Sequence, residues 1–184
     1  MIELGAYWAH YSMWLKKLSR QATCYMIDAD HHCLECGKHN FALNNYAGEF
    51  IHATVGSAGV QLDDFVADRR IDRLDILHSD IQGYEVEMLL GGKKCLSKNV
   101  ADYIFISTHS QELHSSVVRQ LRGYSYRIEV SSDFDTHSTS TDGFVLATSP
   151  RIDPLFENFS PLGRVDIAKS SPSRLIQSLQ AKDQ

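Results

Sequence analysis

The residues of this chain able to do chemistry fall in four short stretches. Gly5 follows Glu3 in ELGAYWAHYS (3–12), and Asp28 and Asp30 close MIDAD (26–30). His78, Ser79 and Asp80 stand in succession in LDILHSDIQGYE (74–85), and His109 ends FISTH (105–109). A glycine just after an acidic residue, at a strand-to-helix turn, lets a ligand approach the backbone, and the start of the next helix offers it free N–H groups. Asp28, 23 residues beyond Gly5, stands about where nucleoside-binding α/β domains place the acid that accepts hydrogen bonds from a ribose diol. Asp80, His78 and His109 are the groups able to take a proton from a hydroxyl, the histidines because an imidazole ordinarily titrates near neutrality. Singly, Gly5 is a tight turn and Asp28 or Asp80 a helix cap; jointly they describe a ligand site.

These stretches need a scaffold, and hydrophobic periodicity supplies it. Apolar runs predict strands at 1–4, 23–27, 50–55, 74–79 and 103–107. Helical spacing lies between them: Trp8, Tyr11, Leu15 and Leu18; residues 31–44; LDDFVADRR (62–70); Ile81, Tyr84 and Met88, stopped by Gly91-Gly92; and Leu113, Val117 and Leu121. Asp63 and Asp64 are expected to cap the helix after Leu62, and Tyr84 and His114 to be packing or surface residues. YSYRIEV (124–130) and GFVLAT (143–148) have no helix between them and predict an antiparallel pair. Strand and helix alternating five times imply a parallel sheet covered on both faces, with its ligands at the carboxyl ends of the strands. The four stretches lie at such ends.

The ligand class follows from what is absent. Tyr7 and His10 stand where a G-x-G-x-x-G turn would carry its second and third glycines, so a pyrophosphate has no cradle. A cofactor with a nucleoside but no diphosphate fits better, and S-adenosylmethionine is one. Cys33-x-x-Cys36, flanked by His31, His32 and His39, invites a zinc reading. On a helix, however, His32 and His39 lie ~10 Å apart, too far for one tetrahedral ion, and no second ligand pair has comparable spacing. No metal is expected there. Acidic residues number 23 against 18 basic ones, for a net charge of −5, so the electrostatic footprint of a nucleic-acid binder is missing and a small acceptor is expected. No apolar run approaches the ~20 residues of a membrane span, and the first residues lack a signal-peptide layout, so no membrane is expected and cytoplasm is the default. Four cysteines are too few and too uneven for a disulfide framework.

Several of these motifs together resemble the FkbM family of S-adenosylmethionine-dependent methyltransferases. ELGAYWAHYS is similar to the family's D-x-G-A-x-x-G-x-x-S turn, with Tyr7 for a small polar residue and Ala9 for the second glycine. DADHHCLECGKHNFALNN resembles its E-P-x-x-x-x-x-x-L-x-x-N-x-x-x-N segment, with Ala29 for the proline. VQLDDFVADRRIDRLDILHSDIQGYEVEMLLGGKKCL resembles its L-D-D, apolar strand, D-x-E/Q-G-x-E and L-x-G-A series, and FISTHS and TDGFVLA resemble later elements. The likeness spans roughly residues 1–148.

The resemblance implies a Rossmann-like methyltransferase fold, a mostly parallel doubly wound sheet with a C-terminal antiparallel strand pair. It implies a cofactor site of Glu3, Gly5, Ala6, Tyr7, Asp28, Ala29 and Asp80, with Glu3, Gly5 and Ala6 beside the methionine half and Asp28 on the ribose. Catalysis is expected from Asp80, His109 and His78, with transfer to a hydroxyl of a small molecule or sugar. A divalent cation on Asp80 is the alternative means of activating that hydroxyl. Residues 1–150 are expected to form the methyltransferase domain, cut short at its first strand, and 151–184 a C-terminal extension with a short helix at 173–181. The contrasting expectation is a truncated or degenerate domain of the same fold that binds a nucleoside without catalysis.

Overall fold

The computed structural model describes residues 1–157, 159 and 162–180. Pro161 and residue 181, part of the expected extension and its helix, lie outside the described residues. Seven strands make one sheet: β1 Ile2–Leu4, β2 Tyr25–Asp28, β3 Glu49–His52, β4 Leu74–Ser79, β5 Ala101–Thr108, β6 Arg127–Ser132 and β7 Gly143–Thr148. Their order is β3-β2-β1-β4-β5-β7-β6. The first five run parallel, and β7 lies antiparallel to both β5 and β6. The strand order reverses between β1 and β4, where Leu4 is registered against Ile27 on one side and Ser79 on the other. Helices on opposite faces diverge at such a point and leave a crevice beyond the strand ends.

Short β1 is held by burial rather than length, since Ile2, Glu3 and Leu4 are all buried beneath covering helices. One face of the sheet packs Leu77, Ile104, Ile106 and Val145 with Met88, Leu89, Val117 and Leu121 from the helices that follow β4 and β5. A smaller cluster joins Ala6, Ala9, Met26 and Phe41. The helices are α1 His10–Leu18, α2 His31–Leu43, α3 Leu62–Asp68, α4 Glu85–Gly91, α5 Lys93–Ser97, α6 Gln111–Gly123, α7 Arg164–Lys169 and α8 Pro172–Gln180.

Several elements depart from expectation for identifiable reasons. The expected apolar stripe of α1 is only in part its covered face: Leu15 packs on the smaller core cluster, but Tyr11 and Leu18 are exposed and the buried positions are Ser12 and Lys16. Ser12 points inward because it bonds the buried Glu3 carboxylate, and Lys16 because its Nζ donates to the carbonyls of Arg20 and Ala22 at 2.6 and 2.8 Å. Helix α4 starts at Glu85 rather than Ile81. Gln82 and Gly83 take left-handed φ values of 53° and 105°, which form a turn and not a helix. Strand β3 ends at His52, and residues 53–60 form a loop tied by a Val55–Val60 bridge. Asp63 does not cap α3, whose N-cap is Gln61; it accepts the N–H groups of Lys94 and Cys95, both at 2.8 Å, at the start of α5.

Candidate active site

The turn after β1 sets the centre of the site. Gly5 has φ 72°, and a Cβ there would collide with the backbone carbonyl oxygen of Asp80, so glycine is what lets this turn close against the end of β4. Tyr7 and Ala9 follow at φ 48° and 59°. A left-handed backbone at Ala9 is a conformation that glycine adopts at lower cost than alanine. Tyr7 N–H donates to Asp28 Oδ2 at 2.7 Å, and Asp30 N–H to Asp28 Oδ1 at 2.8 Å. Asp28 is therefore no cap of α2, a role Asp30 fills by accepting Cys33 N–H at 3.1 Å. Each Asp28 oxygen has accepted one backbone donor and retains a lone pair for a vicinal diol.

A cavity of about 840 Å³ opens across the ends of β2, β1 and β4. Of the expected cofactor residues, Gly5, Tyr7, Asp28, Ala29 and Asp80 line it, as does His78. Asp28 and Asp80 thus face one space. Glu3 and Ala6 do not line it: both are fully buried beneath α1, Ala6 in the smaller core cluster and Glu3 turned onto Ser12. Burial pushes the Glu3 carboxyl up to about 7 against the opposing effect of its Ser12 hydrogen bonds, and its Oε1 has no hydrogen-bond partner among the described residues. His78 is buried beside Tyr11, ring centroids 4.3 Å apart. Desolvation, with a smaller effect from His10, lowers its pKa to about 4, so it is a neutral imidazole at pH 7.

His109 does not line the cavity but stands behind Asp80. Its Nε2 lies 3.1 Å from Asp80 Oδ1 and 3.8 Å from Asp142 Oδ1, and its Nδ1 lies 2.7 Å from Oε1 of the fully buried Glu85. Asp80 caps no helix; the N-cap of α4 is Tyr84. The sequence reading missed Glu85, although it closes the D-x-Q-G-x-E motif. It also missed His10, Tyr11, Thr54, Ser57, Tyr84 and Glu87 on the cavity wall. Tyr84, expected as packing or surface, is exposed at the cavity mouth; His114 is buried between the hydroxyls of Thr108 and Ser131. Among the described residues no group of three or more His, Cys, Asp or Glu side chains is arranged to hold a metal ion. Asp80 therefore has no ligand set around it to support the divalent-cation alternative.

A parallel sheet ending in an antiparallel β7, with this crevice beyond β1 and β4, is a Rossmann-like methyltransferase fold. The FkbM methyltransferase domain matches residues 4–128, and the chain belongs to that family. It is similar to the crystal structure of the methyltransferase FkbM from Methylobacillus flagellatus KT at 18% identity and a TM-score of 0.58, covering 80% of this chain and 42% of that one. The chain thus spans less than half the length of that relative. TrmK from M. capricolum, solved with S-adenosyl-homocysteine, is similar at 14% identity and a TM-score of 0.57, over 98% of this chain and 75% of that one. Streptococcus pneumoniae Sp1610, described as a candidate tRNA (m1A22) methyltransferase, is similar at 10% identity and a TM-score of 0.56, over 98% and 76%. No curated protein matches the chain. At these identities the likenesses establish the fold, and the fold does not separate small acceptors from nucleic acid.

Proposed function

We propose that the chain is an S-adenosylmethionine-dependent O-methyltransferase acting on a hydroxyl of a small molecule or sugar. The observation that carries the reading is the convergence of Asp28 and Asp80 on one cavity at the β1/β4 switch point. The residues fit the cofactor. Its size is within the usual range for a small-molecule pocket. Asp28 holds two preoriented acceptors for the ribose diol, and Ile27, Ala53, Val55 and Ile81 give apolar wall for a purine. Gly5 and Tyr7 place backbone beside the methionine half, with Glu3 and Ala6 as the buried floor under that turn. When bound, the cofactor supplies a sulfonium methyl that an acceptor lone pair can take while the S–C bonding pair stays with sulfur.

The chain's own residues then have two tasks. The cavity walls align the hydroxyl, which converts a bimolecular encounter into an oriented one. Asp80, on the wall, accepts the hydroxyl proton, with His109 behind it; His78, neutral and buried, orients the acceptor. The net charge of −5 favours an acceptor that is not nucleic acid. Free Cys24, Cys33, Cys36 and Cys95 suit the reducing cytoplasm proposed for it. Residues 1–150 form the catalytic unit in this reading, and 151–184 an extension.

Calorimetry with S-adenosylhomocysteine, followed by radiolabelled methyl transfer to a panel of sugars and small alcohols, tests the reading. Binding is expected, with turnover on a hydroxylated acceptor that falls at least 100-fold in Asp80→Ala and in His109→Ala while both variants keep the wild-type melting profile. Wild-type turnover in both variants would remove the chemistry from this place. Binding with no transfer to any acceptor, nucleic acid included, would favour a non-catalytic nucleoside-binding domain.

A further inference from the structure

We infer that Glu85 is a positioning residue that fixes the tautomer of His109 and so makes Asp80 and His109 a one-way proton relay; the inference rests on the methyl-transfer reading above. Glu85 is fully buried at the first position of α4, yet its carboxylate is spent on neither a cap nor a lysine or arginine. Its Oε1 takes His109 Nδ1 at 2.7 Å and the Gly83 N–H at 3.3 Å, and its Oε2 has no hydrogen-bond partner among the described residues. An ionised Glu85 can only accept, and in that state the proton of the contact sits on Nδ1.

The remaining nitrogen is then the basic one. Nε2 is buried and makes no hydrogen bond of acceptable geometry among the described residues, although Asp80 Oδ1 lies 3.1 Å away. Three carboxylates face the ring from three elements: Glu85 from α4, Asp80 from the turn after β4 and Asp142 from the segment before β7. A proton leaving the acceptor oxygen passes to Asp80 and, once a small turn of the carboxyl aligns it with the nitrogen 3.1 Å away, on to Nε2. The O–H bond breaks as the O–CH3 bond forms, Asp80 returns to its carboxylate, and the ring ends as an imidazolium flanked by Asp80, Glu85 and Asp142. The same logic governs other carboxylate–histidine pairs, in which the buried acid sets tautomer and orientation and takes no proton itself. The glutamine isostere at position 85 presents an amide N–H as well as a carbonyl and so can reverse the donor at Nδ1.

Nitrogen-15 NMR of the histidine rings in the full chain, with His109 assigned by its absence in His109→Gln, reads the tautomer without any acceptor. The expected result is a protonated Nδ1 and a bare Nε2 in the wild type. In Glu85→Gln the Nε2–H form should rise, with a fall of at least tenfold in kcat on the panel acceptor, an unchanged KM for S-adenosylmethionine and an unchanged Kd for S-adenosylhomocysteine. A bare Nδ1 in the wild type overturns the inference, and that measurement stands even if the variant does not fold. So does a folded Glu85→Gln protein with wild-type tautomer and kcat. Failure of the underlying reading looks different: no S-adenosylhomocysteine binding, or full turnover in both Asp80→Ala and His109→Ala, whatever the NMR shows.

Discussion

Glu3 and His78 are neighbours across the β1–β4 pairing, registered directly opposite each other, and both are buried with their charged forms disfavoured. Their effects on stability have opposite signs. Glu3 is raised from 4.5 to about 7, so between those values the folded chain holds a proton the unfolded chain has lost, and stability falls as pH rises through the window. His78 is lowered from 6.5 to about 4, so between those values the unfolded chain holds the extra proton, and stability falls as pH drops. From pH 4.5 to 6.5 the two slopes oppose and nearly cancel. Each single variant should expose the other group's slope. Urea denaturation of Glu3→Gln should show stability falling from pH 6.5 to 4, and of His78→Gln stability falling from pH 4.5 to 7, by at most about 3 kcal/mol each. Parallel pH profiles in the two variants would contradict it. Neither effect was legible in the sequence. Glu3 was readable as part of a motif, but its partner Ser12 and its burial depend on how α1 lies over β1, which spacing along the chain does not encode.

At the scale of elements, strands were more legible than helix faces and caps. Runs such as Leu74–Ser79 and Tyr103–Ser107 mix fully buried with half-buried apolar residues, so their apolar content alone marks them. The face of helix α1 was read only in part, because Tyr11 at 40% and Leu18 at 86% exposure belong to the expected stripe yet lie uncovered, and periodicity assumes that the apolar face is the covered one. Asp63 and Asp64 were misread because a carboxylate in a first turn looks the same whether it serves its own helix or a neighbour's. The structure separates them: Asp63 accepts two N–H groups at the start of α5, 31 and 32 residues away, and Asp64 is exposed. Asp63→Ala should cost roughly 1–2 kcal/mol, the value of a lost helix cap, whereas Asp64→Ala should stay within about 0.5 kcal/mol of wild type. Chemical denaturation of the pair is decisive, since equal losses would mean that both acids support α3 alone.

Across the whole molecule, the cavity belongs to no single element. Asp28 comes from β2, Gly5 and Tyr7 from the turn after β1, Asp80 from the turn after β4, and Thr54 and Ser57 from the loop after β3. The sequence disclosed the first three of these as separate strand ends, and the parallel topology predicted that they would meet; what it could not supply was the 53–60 wall with Thr54 and Ser57, whose loop carries no motif. A site assembled from four elements exists only in the folded chain, so a ligand that fills it must stabilise the fold by mass action. At S-adenosylhomocysteine concentrations 100-fold above Kd the gain is about 2.7 kcal/mol, which for a chain of this length corresponds to a rise in Tm of roughly 5–10 °C. Asp28→Ala removes the two carboxylate oxygens proposed to take the diol and also the anchors of Tyr7 N–H and Asp30 N–H. That variant should lose nearly all of the ligand-induced shift at the same concentration, while adenine-free methionine should produce no shift in either protein. Thermal scans of the two proteins with and without each ligand decide the matter. A full shift in Asp28→Ala would mean that the adenosyl group is held elsewhere, and with it would go the argument that these four strand ends form one cofactor site.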